Sequence, residues 1–212
     1  MIKAILFDVD GIIINREMYF SERYSRDFNV PLEKILPFYK NEFQKCLVGQ
    51  ADLKEELTKY LDDWEWNKPI EELLDYWFEH ESTINKEVLS AVSDLRARGI
   101  KCYLATNNEK YRVDYLRQNL GLGQHFDGIF ASCDLGAKKP SEAFWQSISE
   151  KIGFDNTEVE VLDDEPENVE SANQYGFRSE IFSDIRSFLR KIQAQEEKDE
   201  TIVSKVSLGG EA

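Results

Sequence analysis

The chain of 212 residues lacks most of what marks a membrane, secreted or nucleic-acid-binding protein. It has no apolar run near the ~20 residues that a membrane-spanning helix needs. Its N-terminal apolar stretch is short and broken by Asp8, which predicts no signal peptide. Cysteine is scarce: Cys46, Cys102 and Cys133 are odd in number and far apart. That excludes a disulfide framework and predicts reduced thiols in a cytoplasmic setting. The two histidines, His80 and His125, show no metal-ligand spacing. Basic residues are outnumbered, 26 against 41 acidic ones, for a net charge of −15. Such a surface repels a nucleic-acid backbone, and an anionic substrate would need a metal or local cations to bind. No internal repeat is visible, and nothing here bears on oligomeric state.

What is present is enough apolar residue, 42%, for a full core. The stretch Ala4-Ile5-Leu6-Phe7-Asp8-Val9-Asp10-Gly11 organises the rest. A short continuous apolar run suits a strand buried on both faces of a parallel sheet. Side chains alternate along a strand, so Asp8 and Asp10 face the same way where it ends. Gly11 lets the chain leave sharply.

From about Asn15 to Thr83 the pattern is helical. Apolar residues recur at helical spacing over Tyr19–Phe28, Ile35–Leu47, Leu53–Trp64 and Ile70–Phe78. Pro31, Pro37 and Pro69 are read as punctuation, and Asp52 as an N-cap after the turn at Gly49. Trp64, Trp66 and Trp77 lie here. They read as core, with Trp64 or Trp66 the better candidates for an exposed contact.

An α/β rhythm follows. Strands are expected at Ile100–Ala105, Phe126–Ala131, Glu158–Leu162 and Arg178–Phe182. Helices are expected at Glu87–Arg98, Lys110–Leu120, Ser141–Ile152, Pro166–Tyr175 and Asp184–Ile192. The fold class is therefore α/β, a Rossmann-like parallel sheet flanked by helices with an inserted α-helical region. Residues 1–14 and 84–193 would form the core domain, 15–83 a helical cap, and 194–212 a flexible charged tail.

Polar residues fall where these strands end: Asp8 and Asp10, then Thr106, then Asp163 and Asp164. All carboxyl ends of a parallel sheet share one rim, so these residues meet in one crevice. Four carboxylates together would hold protons unless a cation balanced them. All-oxygen ligation points to Mg2+. One carboxylate can then act as a nucleophile, and another two residues on as general acid and base. Lys138 or Lys139 can offset negative charge, with Pro140 favouring Lys139 as the inward one. Thr106 and the backbone amides after it can donate to a phosphoryl oxygen at a helix N-terminus. Thr106 also reads as a helix N-cap. Arg16, close behind the first strand, is within reach of a substrate from the hinge, or is a solvated arginine.

Over about residues 1–190 the chain resembles the haloacid dehalogenase superfamily. Its motifs match at Phe7-Asp8-Val9-Asp10-Gly11, Leu104-Ala105-Thr106-Asn107, Lys139-Pro140, and Val161-Leu162-Asp163-Asp164-Glu165-Pro166-Glu167-Asn168. The resemblance implies Asp8 as nucleophile and metal ligand, and Asp10 as general acid/base that also binds the metal through its backbone carbonyl. It implies Thr106 and Asn107 at the phosphoryl group, Lys139 beside the nucleophile, and Asp164 completing the metal site. Asp163 and Asn168 would stand behind these ligands. The helical insertion is similar to that of the subgroup of glucose-1-phosphate phosphatases and epoxide hydrolase phosphatase domains. The family usually has Thr after Asp-x-Asp-Gly; here it is Ile12, which removes a hydroxyl that helps fix the loop.

These readings converge on a Mg2+-dependent phosphatase acting on a small phosphorylated metabolite, a sugar phosphate by preference, through an aspartyl phosphate. The rivals are a phosphomutase of the β-phosphoglucomutase type, and a non-catalytic binding or regulatory protein. Neither nucleic acid nor membrane is an expected partner.

Overall fold

The structure is a computed structural model, and it describes residues 1–194. The charged tail expected over 194–212 lies outside the described residues, except for Ala194, which closes the last helix.

Five parallel strands form one sheet in the order β3-β2-β1-β4-β5. They are β1 (Ala4–Phe7), β2 (Lys101–Thr106), β3 (Gly128–Ala131), β4 (Val159–Asp163) and β5 (Arg178–Ile181). β1 is central, as its fully buried Ala-Ile-Leu-Phe run requires. Phe7 is level with Leu104 of β2 and with Leu162 of β4. The residues after these three strands therefore emerge on one rim.

Alternation along β1 divides the core. Ile5 and Phe7 pack on one face against α6 (Lys86–Ala97) and a last helix, α12 (residues 185–194), through Val92, Leu95, Phe188 and Ile192. Ala4 and Leu6 pack on the other against α10 (Glu142–Ile152) and α11 (Pro166–Gln174). α11 has Pro at its first turn, where no N–H is needed.

Between β1 and α6 run five helices: α1 (Phe20–Phe28), α2 (Leu32–Lys40), α3 (Glu42–Leu47), α4 (Leu53–Thr58) and α5 (Ile70–His80). They gather on a separate aromatic core that includes Phe20, Tyr24, Phe38, Trp64 and Trp77. The chain enters and leaves this excursion side by side: Ile14 bridges Ile84, and Asn15 N–H donates to Thr83 C=O at 2.8 Å.

Four local expectations are corrected. Pro37 lies inside α2 rather than between segments. The helical run Ile35–Leu47 breaks at Asn41 instead, where φ −119° and ψ −85° leave the helical region. The run Leu53–Trp64 ends as a helix at Thr58. Beyond it the chain turns so that Trp64 can be buried, with its indole N–H on Lys34 C=O and its own carbonyl held by the Tyr24 hydroxyl. Trp66 is also buried, so neither offers the exposed contact suggested for them. The helix expected over Lys110–Leu120 is α7 (Lys110–Asp114) followed by a π-helical turn, Tyr115–Asn119. That widened turn lays Tyr115 on Phe78 while Leu116 enters the sheet core. Single turns α8 (Leu122–His125) and α9 (Ser132–Leu135) flank β3.

Asp52 caps α4 as expected, accepting the N–H groups of Lys54 and Glu55. The same carboxylate meets the Lys110 ammonium and, at 2.9 Å, the Tyr111 hydroxyl. This clasp seats the helical insertion on the start of α7.

Candidate active site

The rim is centred on Lys139, which is buried and reaches two carboxylates. Its Nζ lies 2.8 Å from Asp8 Oδ1 and 2.6 Å from Asp163 Oδ2. Its position is set from behind by Asn107. That amide accepts from Lys139 N–H at 2.8 Å and donates to Lys139 C=O at 3.0 Å. Lys138 points away and donates to Gln44 on α3.

Asp163 is fully engaged. Its Oδ1 accepts the Asn168 amide at 2.9 Å and Glu165 N–H at 3.0 Å, while its Oδ2 takes Lys139. Asp164, next along the chain, lies against Gly11. A Cβ at Gly11, where φ is +92°, would stand 2.2 Å from Asp164 Oδ2. The close approach is possible only because that residue is glycine.

Electrostatics follow from this packing. Burial pushes the Asp8 carboxyl up to about 7 against the opposing pull of Lys139, with Asp163 and Asp10 adding to the rise. Asp164 is raised by burial and then by Asp163. Burial would lower Lys139, yet Asp8 and Asp163 outweigh it and hold it above the usual lysine range. One ammonium thus faces more negative charge than it can neutralise. Asp8, Asp163 and Asp164 each bring a carboxylate oxygen within 4.8 Å of the others. Oxygen donors, net negative charge and a glycine-floored recess fit a hard divalent cation such as Mg2+. Asp163 already accepts three hydrogen bonds, so Asp8 and Asp164 are the members with more ligand capacity to spare.

Asp10 is held by Asn108, whose amide lies 3.2 Å from Asp10 Oδ2 and 2.6 Å from Thr106 Oγ1. Ser132 Oγ donates to Asn108 C=O at 3.3 Å. Thr106 is buried at the end of β2. It is not the N-cap of α7: Glu109 is, accepting from Tyr111 and Arg112 N–H. The first amides of α7 are therefore spent on that carboxylate rather than open to a phosphoryl oxygen. Asn107 likewise uses its side-chain amide on Lys139, which leaves its backbone for any anion.

Ile12 is fully buried in the sheet core. The loop it belongs to is closed by backbone: Ile13 and Ile14 N–H donate to Val9 C=O, and Gly11 N–H to Ile14 C=O. These bonds do the work assigned to the missing threonine hydroxyl.

Above the rim, under the helical insertion, lies a cavity of about 490 Å³. Asp10, Asn107 and Asn108 line its floor, and Tyr39, Phe43 and Trp77 part of its roof. Arg16 is at its edge, stacked 4.3 Å over the Tyr19 ring. Glu81 lies in its wall, accepting Trp77 indole N–H at 2.9 Å and Phe20 N–H at 3.1 Å. Asn108 was not singled out from the sequence, although it directly follows the Leu104-Ala105-Thr106-Asn107 motif. Tyr39 and Glu81 carry no local signal, since only folding of the insertion brings them here.

A parallel sheet with aspartates after its central strand, a buried lysine between two of them and a helical roof defines a class of hydrolase. The haloacid dehalogenase-like hydrolase family matches residues 2–176, and the chain belongs to it. It is 30% identical to the bifunctional epoxide hydrolase 2 of Rattus norvegicus over 115 residues, 52% of this chain but 21% of that protein. The chain thus spans about a fifth of that larger protein. It is 22% identical over 182 residues to a phosphorylated carbohydrates phosphatase of Thermotoga maritima, covering 82% of each. A haloacid dehalogenase family enzyme of Bacteroides thetaiotaomicron, solved with magnesium and inorganic phosphate, shares the fold with a TM-score of 0.75. The two are 19% identical, over 86% of this chain and 95% of that one. Among the described residues no helix is long and apolar enough to cross a membrane.

Proposed function

We propose that the protein is a Mg2+-dependent phosphomonoesterase acting on a small phosphorylated metabolite through an aspartyl phosphate. The observation that carries this reading is Lys139 buried between Asp8 and Asp163, with Asp164 beside them across Gly11. Asp8 and Asp164, with the Asp10 carbonyl, would hold Mg2+, which would neutralise charge on the phosphoryl oxygens. Asp8 attacks phosphorus, a P–O bond to Asp8 forms, and the bond to the alcohol breaks. Asp10 gives its proton to the departing alcohol. It then takes one from the water that hydrolyses the acyl phosphate and restores the Asp8 carboxylate. Asn108 keeps Asp10 aimed at that oxygen. Thr106 and backbone N–H groups after it bind the phosphoryl oxygens, and Lys139 offsets their charge beside Asp8. Residues 1–14 and 84–193 act as the catalytic core, and 15–83 as a cap that excludes bulk water. Named relatives that are phosphatases support the reaction class, and the free cysteines Cys46, Cys102 and Cys133 support a reducing cytoplasmic compartment.

A sugar phosphate is the substrate suggested by the sequence and by the name of the Thermotoga relative. A mutase would have to accept a second phosphate over a cavity lined by Asp10, Glu22 and Glu81. Like-charge repulsion disfavours that. The test is release of inorganic phosphate from a panel of monoesters, with Mg2+ and with EDTA, by wild type and Asp8→Asn. Release is expected only with Mg2+ and the native aspartate. Undiminished turnover by Asp8→Asn would remove the assigned nucleophile.

A further inference from the structure

The cavity over Asp10 has a composition of its own. Tyr39, Phe43 and Trp77 stand in mutual contact, with ring centroids 5.3 to 5.7 Å apart. Phe20 stacks on Trp77 at 4.5 Å, and Leu32 and Leu36 complete an apolar wall. Among the described residues that line the cavity, the one cation is Arg16, against Asp10, Glu22 and Glu81. A wall of this kind stabilises hydrocarbon and aromatic surface by removing it from water. The wall itself offers no partners to the several hydroxyls of a sugar, and the carboxylates around it repel further anionic groups.

The polar groups of the lining border this wall, Asp10, Asn107 and Asn108 at the floor and Arg16, Ser21, Glu22 and Glu81 around the edge. The Tyr39 hydroxyl oxygen is enclosed by protein, so Tyr39 lines the cavity with its ring and not with its hydroxyl.

We infer that the cavity selects the monophosphate of an uncharged, ring-bearing and largely apolar alcohol, held against Phe43, Trp77 and Leu36. The inference rests on the phosphomonoesterase reading and names the substrate class of that same site. Leu36, Phe43 and Trp77 are then specificity residues for the leaving alcohol and take no part in the attack on phosphorus.

The test uses primary-alcohol monoesters, so that leaving-group acidity stays comparable: 4-methylbenzyl phosphate, benzyl phosphate and glucose 6-phosphate. With Mg2+, kcat/KM is expected to be about tenfold or more higher for either benzyl ester than for the sugar phosphate. Leu36→Lys, at a position already part-exposed, should lower kcat/KM for both benzyl esters and not for the sugar phosphate. Calorimetric titration with benzylphosphonate and methylphosphonate provides a readout that needs no turnover, and the benzyl compound is expected to bind about tenfold tighter. Phosphate release with glucose 6-phosphate equal to or better than the benzyl esters would overturn the substrate class and leave the reaction intact. Equal binding of the two phosphonates would overturn it as well. No release from any ester, with benzylphosphonate still preferred, would uphold the pocket and sink the hydrolytic reading.

Discussion

The ammonium of Lys139 lies 2.8 Å from one oxygen of Asp8, with the two side chains only 2% and 11% exposed. A pair so enclosed is balanced as a unit. Lys139→Met would leave Asp8 and Asp163 facing each other without a counter-charge. We expect a loss of about 3–5 kcal/mol in unfolding free energy, the usual result of removing one partner from a buried ion pair. Mg2+ should restore part of it by binding the native state. Urea unfolding with and without Mg2+ measures both, and a variant as stable as wild type in EDTA would contradict the expectation.

Gly11 faces the carboxylate of Asp164. In Gly11→Ala the new methyl would stand 2.2 Å from Asp164 Oδ2, so the carboxylate has to move. Apparent Mg2+ affinity should drop about 10- to 100-fold, as when the orientation of a metal ligand is disturbed. Gly99→Ala is the control: its φ is +86°, but nothing lies within 4 Å of the added methyl. It should cost about 1–2 kcal/mol of stability and leave the Mg2+ dependence of phosphate release unchanged.

Ile12→Thr restores the usual family residue and should not improve the enzyme. The position is fully buried among Val9, Ile13 and other apolar side chains. A hydroxyl there is expected to cost about 1–3 kcal/mol. Asp10 is positioned by Asn108 instead, so Asn108→Ala should cut kcat by about tenfold or more with little change in KM. A large gain in kcat from Ile12→Thr would show that the loop was wrongly poised.

Glu109 gives the fold a pH dependence away from the acidic rim. Burial raises its carboxyl to about 7, although two N–H groups of α7 pull it down. Unfolded, it would titrate near its ordinary 4.5. Between these values the folded state holds a proton that the unfolded state has lost, so stability falls as pH rises from about 4.5 to about 7. The full difference amounts to about 3 kcal/mol. Glu109→Gln, which mimics the protonated form, should match wild type near pH 4.5 and exceed it at pH 8. Thermal unfolding across that range checks the crossing.

The sheet was legible because its information is local. The four-residue β1 is an unbroken apolar run, and each of β1, β2 and β4 ends in the polar residues that motif spacing had marked. One parallel rim then places Asp8, Thr106 and Asp163 together without further knowledge. Helices of the insertion were less legible at their ends. Pro37 sits inside α2, and Trp64 pulls the chain out of α4, because tertiary burial overrode the local signal. Tyr39 and Glu81 were invisible for a related reason. Their meaning comes from the company they keep across the cavity, and nothing in their neighbours along the chain records it.

The side-by-side passage of Ile14 and Ile84 has a wider consequence. Seen from the sheet, the whole excursion from Asn15 to Thr83 amounts to one long loop whose two ends are already hydrogen-bonded to each other. The entropy of closing a loop grows only slowly with its length, so lengthening or replacing this one disturbs the sheet little. On the proposed reading, the stretch that would choose the alcohol can therefore be exchanged while the rim that would handle phosphorus stays as it is.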